Sequence, residues 1–270
     1  MQTLEMPAGM QAPRQAPGLR SLDTFEVLPV AWMMPGRIPY GHVTVLAGSP
    51  GEGKSTMTMA LAAGVTQAGL GCVFVGSEDD IASSVRPRFQ AAGGDVSKFF
   101  VFGHDIDPVF PEDAEFLEKA VRDSGAGLVI IDPITAHLSP LLNTMNDHSL
   151  RQGLRPLARL AQRTRAAVVV VMHLNKGREG SPLNWLNGSG GFGGIARSVL
   201  LFGTRKTDAD ELANQHFRYL HRVKGNLAPP SPALCCTIET AYVDTPDGRV
   251  QTSRLLFHEE DEYARPEELR

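Results

Sequence analysis

Residues 42–67 read HVTVLAGSPGEGKSTMTMALAAGVTQ, and three consecutive pieces of this stretch decide the fold. His42 to Ala47 is a short apolar run with the length of a buried strand. Gly48-Ser49-Pro50-Gly51-Glu52-Gly53-Lys54-Ser55 matches the phosphate-binding pattern G-x-x-x-x-G-K-[ST] in full. Ser55 to Gln67 is rich in Ala, Met and Leu and reads as a helix. Strand, loop and helix stand in the order the chemistry needs. Glycines let the backbone curl so that successive N–H groups point at phosphate oxygens, and the helix N-terminus adds partial positive charge. Lys54 then reaches the β- and γ-phosphates, Ser55 offers a hydroxyl to Mg²⁺, and Thr56 completes the cradle. Gly48 to Thr56 is therefore a nucleoside triphosphate site.

The 270 residues allow one large α/β domain or two small ones, and 42% hydrophobic content is ample for a core. No run of about 18 apolar residues suggests a membrane span, and no basic-then-apolar leader suggests secretion. Cys72, Cys235 and Cys236 have no metal-binding spacing, which fits reduced thiols of a cytoplasmic protein. A net charge of −4 argues against a general nucleic-acid coat but leaves room for a local basic channel.

Residues 1–24, with Pro, Ala, Gly and Gln interspersed, read as a flexible tail, 25–258 as one domain, and 259–270 as a charged end that frays. The lead-in from Phe25 to Pro39 packs beside the base or caps the first strand. Beyond the helix after the phosphate loop, strands are expected at Gly71–Ser77, Phe99–Gly103, Leu128–Ile131 and Ala167–Met172. Helices are expected between them at Asp80–Ala92, Glu112–Ser124 and Asp147–Arg165. Later strands are expected at Ser198–Phe202, Phe217–Val223 and Leu234–Glu239. Alternating helices and near-continuous apolar strands imply a mostly parallel sheet with helices on both faces. On the long helix Arg151, Arg155, Arg159 and Arg163 recur every fourth residue opposite Leu150, Leu154, Leu157 and Leu160, the pattern of a solvated amphipathic face.

Chemistry collects at strand ends. Leu128-Val129-Ile130-Ile131-Asp132 places a carboxylate where it can hold Mg²⁺ beside phosphates. Pro133 follows it, so the base that activates water must come from elsewhere. Glu78 in Ser77-Glu78-Asp79-Asp80 is the candidate, with Asp79 and Asp80 as cap and first-turn acids of the next helix. His173, after Val168 to Met172, is placed to face the γ-phosphate crevice as a phosphate sensor, the alternative being a histidine simply hydrogen-bonded at a strand end. The glycine-rich loop that follows carries Lys176 and Arg178, candidate contacts to a nucleic-acid backbone. Arg197, Arg222 and Lys224 flank the late strands as cations able either to reach a neighbour's γ-phosphate or to pair with surface acids.

Together the segments PGRIPYGHVTVLAGSPGEGKST, VGSEDD, RPRFQAAGGD, LVIIDPITAHL, VVVVMHLNKG, GSGGFGGIARSVLLF and HRVKGNLAPP resemble the RecA-like ATPases. The nearest resemblance is to the RepA-type branch, which includes plasmid hexameric replicative helicases. The match runs from about Trp32 to Pro230. It implies a RecA-like core with late antiparallel strands, ATP and Mg²⁺ as ligands, and a head-to-tail homo-oligomer, a hexamer, on single-stranded DNA. By the same resemblance Lys54 and Ser55 are the phosphate-loop pair, Glu78 the catalytic glutamate, Asp132 the Mg²⁺ aspartate and His173 the polar sensor. Arg197 or Lys224 is the cation acting in trans. DnaB-like relatives carry an arginine two residues after that lysine, where this chain has Asn226.

Two other readings share the phosphate loop. One is a regulatory ATPase resembling the KaiC-like branch, whose nucleotide state controls protein assembly; acidic charge and few aromatic residues for base stacking favour it. The other is a small-molecule kinase, which leaves His173 and the Gly-rich segment without a role.

Overall fold

The computed structural model describes residues 19–103, 105–175, 180–186, 191–205 and 217–269. Two units separate at Val30/Ala31. In the first, a short 3-10 turn spans Leu22–Thr24, and the Arg20 guanidinium lies 4.5 Å from the centre of the Phe25 ring. Most of the expected N-terminal tail lies outside the described residues.

The second unit opens with a two-stranded antiparallel ribbon, β1 (Trp32–Met34) and β2 (Ile38–Pro39). The elements β3 (Val43–Gly48), α1 (Lys54–Gln67), β4 (Gly71–Gly76), α2 (Arg86–Ala91), β5 (Phe99–Val101), α3 (Ala114–Asp123), β6 (Ala126–Asp132), α4 (Asp147–Thr164) and β7 (Ala167–His173) alternate as the sequence implies. Then come α5 (Gly191–Ile195), β8 (Ser198–Gly203), β9 (Phe217–Gly225), β10 (Ala233–Thr245) and β11 (Gly248–Asp261). One nine-stranded sheet runs β11-β10-β9-β8-β3-β7-β6-β4-β5. From β5 to β8 all pairings are parallel, and β9, β10 and β11 add antiparallel.

The period of two in the central strands builds two cores. Val43, Val45 and Ala47 of β3, with Val168, Val170 and Met172 of β7, pack on α3 and α4. Leu46, Val169 and Val171 face the other side, against α1 and α2. Each such fully buried Val or Leu contributes about 1.5–3 kcal/mol. On α4 Leu150, Leu154, Leu157 and Leu160 are buried while all four arginines are exposed, so the amphipathic reading holds.

Three differences from the sequence reading matter. Strand β11 is absent from it, and β10 runs six residues further than expected, to Thr245. The end expected to fray instead continues β11 through Asp261, then buries Ala264 and Leu269 and pairs Glu268 with Arg205 at 2.6 Å. Gly191 to Ile195, expected as loop, forms a short helix because Gly191 and Gly194 fit closely against Leu150 and Arg151 of α4.

One buried titratable group makes stability pH-dependent. His221 of β9 is 5% exposed, and burial depresses its pKa to about 4, against partial compensation from Glu267, Glu268 and Asp261. A depressed histidine stabilises the fold fully above its unfolded value near 6.5 and loses that contribution as pH falls toward 4. His221→Gln is expected to remove about 2 kcal/mol of the stability lost between pH 6.5 and 5, read by denaturant titration at both pH values.

Candidate nucleotide site

The crevice at the carboxyl ends of parallel strands is where open α/β sheets bind ligands. Here β3, β4, β6 and β7 end together: Gly48 lies opposite His173, and Gly76 opposite Asp132. The phosphate loop leaves β3 under tight constraint. A Cβ at Gly48 would fall 2.2 Å from the Phe202 carbonyl oxygen. Gly53, with φ +94°, sits in the left-handed region, and a Cβ there would fall 2.2 Å from Ile238 Cδ1. Helix α1 starts at Lys54, aiming its N-terminus at the loop.

Lys54 is 6% exposed. Its Nζ donates to the carbonyl oxygens of Gly48 at 3.0 Å and Ser49 at 2.9 Å, and to His173 Nδ1 at 3.2 Å. An ammonium has only donors, so Nδ1 must accept and the ring proton sits on Nε2. Burial first, then the Lys54 charge, holds His173 below its ordinary pKa, with Glu78 opposing. Burial likewise lowers Lys54, against the pull of Asp132, Glu52 and Glu78.

The Asp132 carboxyl is raised to about 6, chiefly by burial, although the Ser55 hydroxyl hydrogen-bonds it and Lys54 attracts it. A half-buried carboxylate paired with a hydroxyl is a hard-oxygen donor set, and Mg²⁺ would fit it. A cavity of about 570 Å³ opens over these groups and is lined by Lys54, Ser55, Glu78, Asp79, Asp132 and His173. The phosphate-loop residues, Glu78, Asp132 and His173, chosen from separate stretches of sequence, thus converge on one space.

The remaining expected residues take other parts. Asp80 caps the turn after β4, its Oδ1 accepting from Ser83 N at 2.7 Å, but Asp79 instead pairs with Arg88 of α2 at 2.5 Å. Arg197 and Lys224 lie at the amino-terminal ends of the central strands, away from the crevice: Arg197 N donates to Val43 O, and Lys224 pairs with Val199 near the start of β8. The phosphate loop begins five residues along β3, about 16 Å away at the rise of a strand. Lys224 Nζ donates to the carbonyls of Ala196, at 3.0 Å, and Gly193. Arg222 bonds the Ala228 and Pro229 carbonyls. Lys176 and Arg178 lie outside the described residues.

Sequence reading missed the wall facing the loop. Arg88, Arg218, Ile238 and Ser253 also line the cavity. Ser253 Oγ lies 3.3 Å from Thr56 Oγ1. Arg88 comes from α2, inside the RPRFQAAGGD segment, while no motif marks Arg218, Ile238 or Ser253, which the pairing of β9, β10 and β11 brings there.

A nine-stranded, mostly parallel sheet with a phosphate loop after a central strand, a carboxylate ending another and late antiparallel strands defines a RecA-like P-loop ATPase fold. The chain matches the family model AAA_25, an AAA domain, over residues 17–179 and belongs to that family. It is similar to the DNA repair protein RadA of Chlamydia muridarum (strain MoPn / Nigg), 22% identical over 77% of this chain and 42% of the relative. It is also similar to the DNA repair protein RadA of Brucella abortus (strain 2308), 27% identical over 61% of this chain and 33% of the relative. The chain therefore spans less than half the length of these relatives. Among the described residues no helix is long and apolar enough to cross a membrane.

Proposed function

We propose that the protein is a Mg²⁺-dependent ATP hydrolase that assembles head-to-tail into a ring, a hexamer as in the RepA-type branch, and moves on single-stranded DNA during replication of a mobile element. The observation that carries the reading is the division of charge between the two ends of the central strands. Lys54, Glu78, Asp132 and His173 share one cavity, whereas Arg197 and Lys224 stand at the opposite strand ends from their own loop. Those two cations are too far from their own loop to serve it, and in a head-to-tail ring they would face a neighbouring copy's site. The similarity to proteins named for DNA repair supports a DNA substrate.

In this mechanism Lys54 turns from the Gly48 and Ser49 carbonyls to the β- and γ-phosphates. Ser55 and Asp132 would hold Mg²⁺, which would supply charge to offset that of the phosphates. Glu78 accepts a proton as water oxygen attacks the γ-phosphorus, the bond to the β,γ-bridging oxygen breaks, and ADP and phosphate leave. A neighbour's Arg197 or Lys224 stabilises charge on the transferring group. His173, losing its Lys54 donor when phosphate arrives, relays occupancy to the segment after β7 that carries Lys176 and Arg178, which contacts DNA. Arg197 is the stronger candidate, because Lys224 already satisfies two carbonyls.

The test is steady-state ATP turnover with and without single-stranded DNA at low salt, with mass measured in ATP–Mg²⁺. Stimulation by DNA and a ring-sized mass are expected. Turnover indifferent to DNA would instead favour a regulatory ATPase of the KaiC-like kind. Lys176→Ala with Arg178→Ala is expected to weaken DNA binding and flatten its salt dependence by up to about two units of slope, measured by titration across salt concentrations.

A further inference from the structure

An acidic side chain inside a phosphate loop calls for an explanation. Glu52 sits two residues before Lys54, among the N–H groups that receive polyphosphate, and its charge is felt by Lys54. Its carboxylate turns away from the cavity floor toward the late strands. Thr204, immediately after β8, donates its N–H to Glu52 Oε2 at 2.9 Å and its hydroxyl to Oε1 at 3.2 Å. Arg218, second residue of β9, brings Nε to 3.0 Å from the Glu52 carbonyl oxygen and 3.3 Å from Oε2. Both side chains are well covered, Glu52 at 13% and Arg218 at 16% exposure. Arg218 Nη1 donates to its neighbour's carbonyl, Phe217 O, at 3.1 Å.

Covered ion pairs between strands are ordinary, but this one has two unusual properties. One partner belongs to the anion-binding loop itself. The other lines the nucleotide cavity with Lys54 and Thr56. The guanidinium rests on the backbone carbonyl of the residue preceding Gly53, so its charge lies beside the N–H groups that cradle phosphate. A guanidinium presents planar, paired donors that match phosphate oxygens, and it stays charged at any working pH.

We infer that Arg218 binds the phosphates of the nucleotide in cis, and that Glu52 is the positioning residue that holds it against the loop. Thr204 fixes both oxygens of the carboxylate, so the pair is held from the end of β8 and from β9 rather than by the loop alone. Glu52 then offsets its own repulsion of phosphate by keeping a cation at the rim. This rests on nucleotide binding at the phosphate loop and is independent of any role on DNA.

The experiment is a double-mutant cycle read by titration with a fluorescent ATP analogue and ADP competition, together with KM and kcat for ATP. Arg218→Ala is expected to raise the dissociation constant and KM about tenfold, the scale of one lost charge-assisted bond, with kcat changing less than about threefold. Arg218→Lys keeps the charge without the planar fork and is expected to recover part of the loss. Glu52→Ala is expected to weaken binding in the same direction, and adding Arg218→Ala to it is expected to cost little more, because the arginine is no longer held in place. Circular dichroism melting of each variant separates folding defects from binding defects. Fully additive losses, tighter binding in Glu52→Ala, or an effect confined to kcat would overturn the assignment. Should DNA have no effect on turnover, these outcomes keep their meaning.

Discussion

Lys54→Ala is expected to abolish hydrolysis, by about 10³-fold or more, while leaving the fold at least as stable as before. The chemical half follows from position: Lys54 is the side-chain cation at the base of the loop, beside Asp132 and His173. The stability half follows from its surroundings. Burial lowers its pKa, so keeping the ammonium there without phosphate costs the empty protein free energy, and two carbonyls and an imidazole only partly repay it. Removing the amine removes that cost. Thermal melting without nucleotide should be unchanged or higher for the variant, and the rise that ATP–Mg²⁺ gives the wild type should vanish. A variant that melts early and also fails to hydrolyse would show that Lys54 is structural first.

Glu78→Gln is expected to bind ATP normally while turnover falls about 10²- to 10⁴-fold, the range for a lost general base. Glu78 is exposed at the mouth of the cavity, past the end of β4, so the amide replaces the carboxylate without disturbing a core. Asp79 lines the same cavity but its Oδ2 is engaged by Arg88 at 2.5 Å. Asp132 is committed to Ser55. Normal hydrolysis by Glu78→Gln, measured as phosphate release at saturating ATP, would move the base to another group. Trapping of unhydrolysed ATP by the variant would support the assignment.

The half of the sheet that carries the phosphate loop was legible because its signals are local. Strand β3, the loop and α1 are contiguous, and the runs ending at Asp132 and His173 are apolar enough to be recognised alone. Strand β11 is different. Its fourteen residues, GRVQTSRLLFHEED, are mostly polar and largely exposed, and pairing with β10 rather than burial holds them. The available signal was Pro246-Asp247-Gly248, a turn sequence that closes the hairpin between Thr245 and Gly248. Missing the hairpin hid the cavity wall, because Ile238 and Ser253 acquire meaning only once β10 and β11 reach the loop. Arg218 was hidden for a related reason: nothing local distinguishes it from other arginines, and its partner Glu52 occupies a variable position of the motif.

The contact between Thr56 and Ser253 closes a loop of 197 residues. Contacts of such separation form late, since chain entropy opposes them until much of the sheet exists. The phosphate loop and the strand that walls it are therefore made at opposite ends of the folding reaction, and ligand arriving at one stabilises the other. Bound nucleotide should slow amide exchange in β10 and β11 more than in β6 or β7, whose protection is already set by the buried core. Occupancy of a site announced at residue 48 is recorded most strongly in the last strand of the sheet.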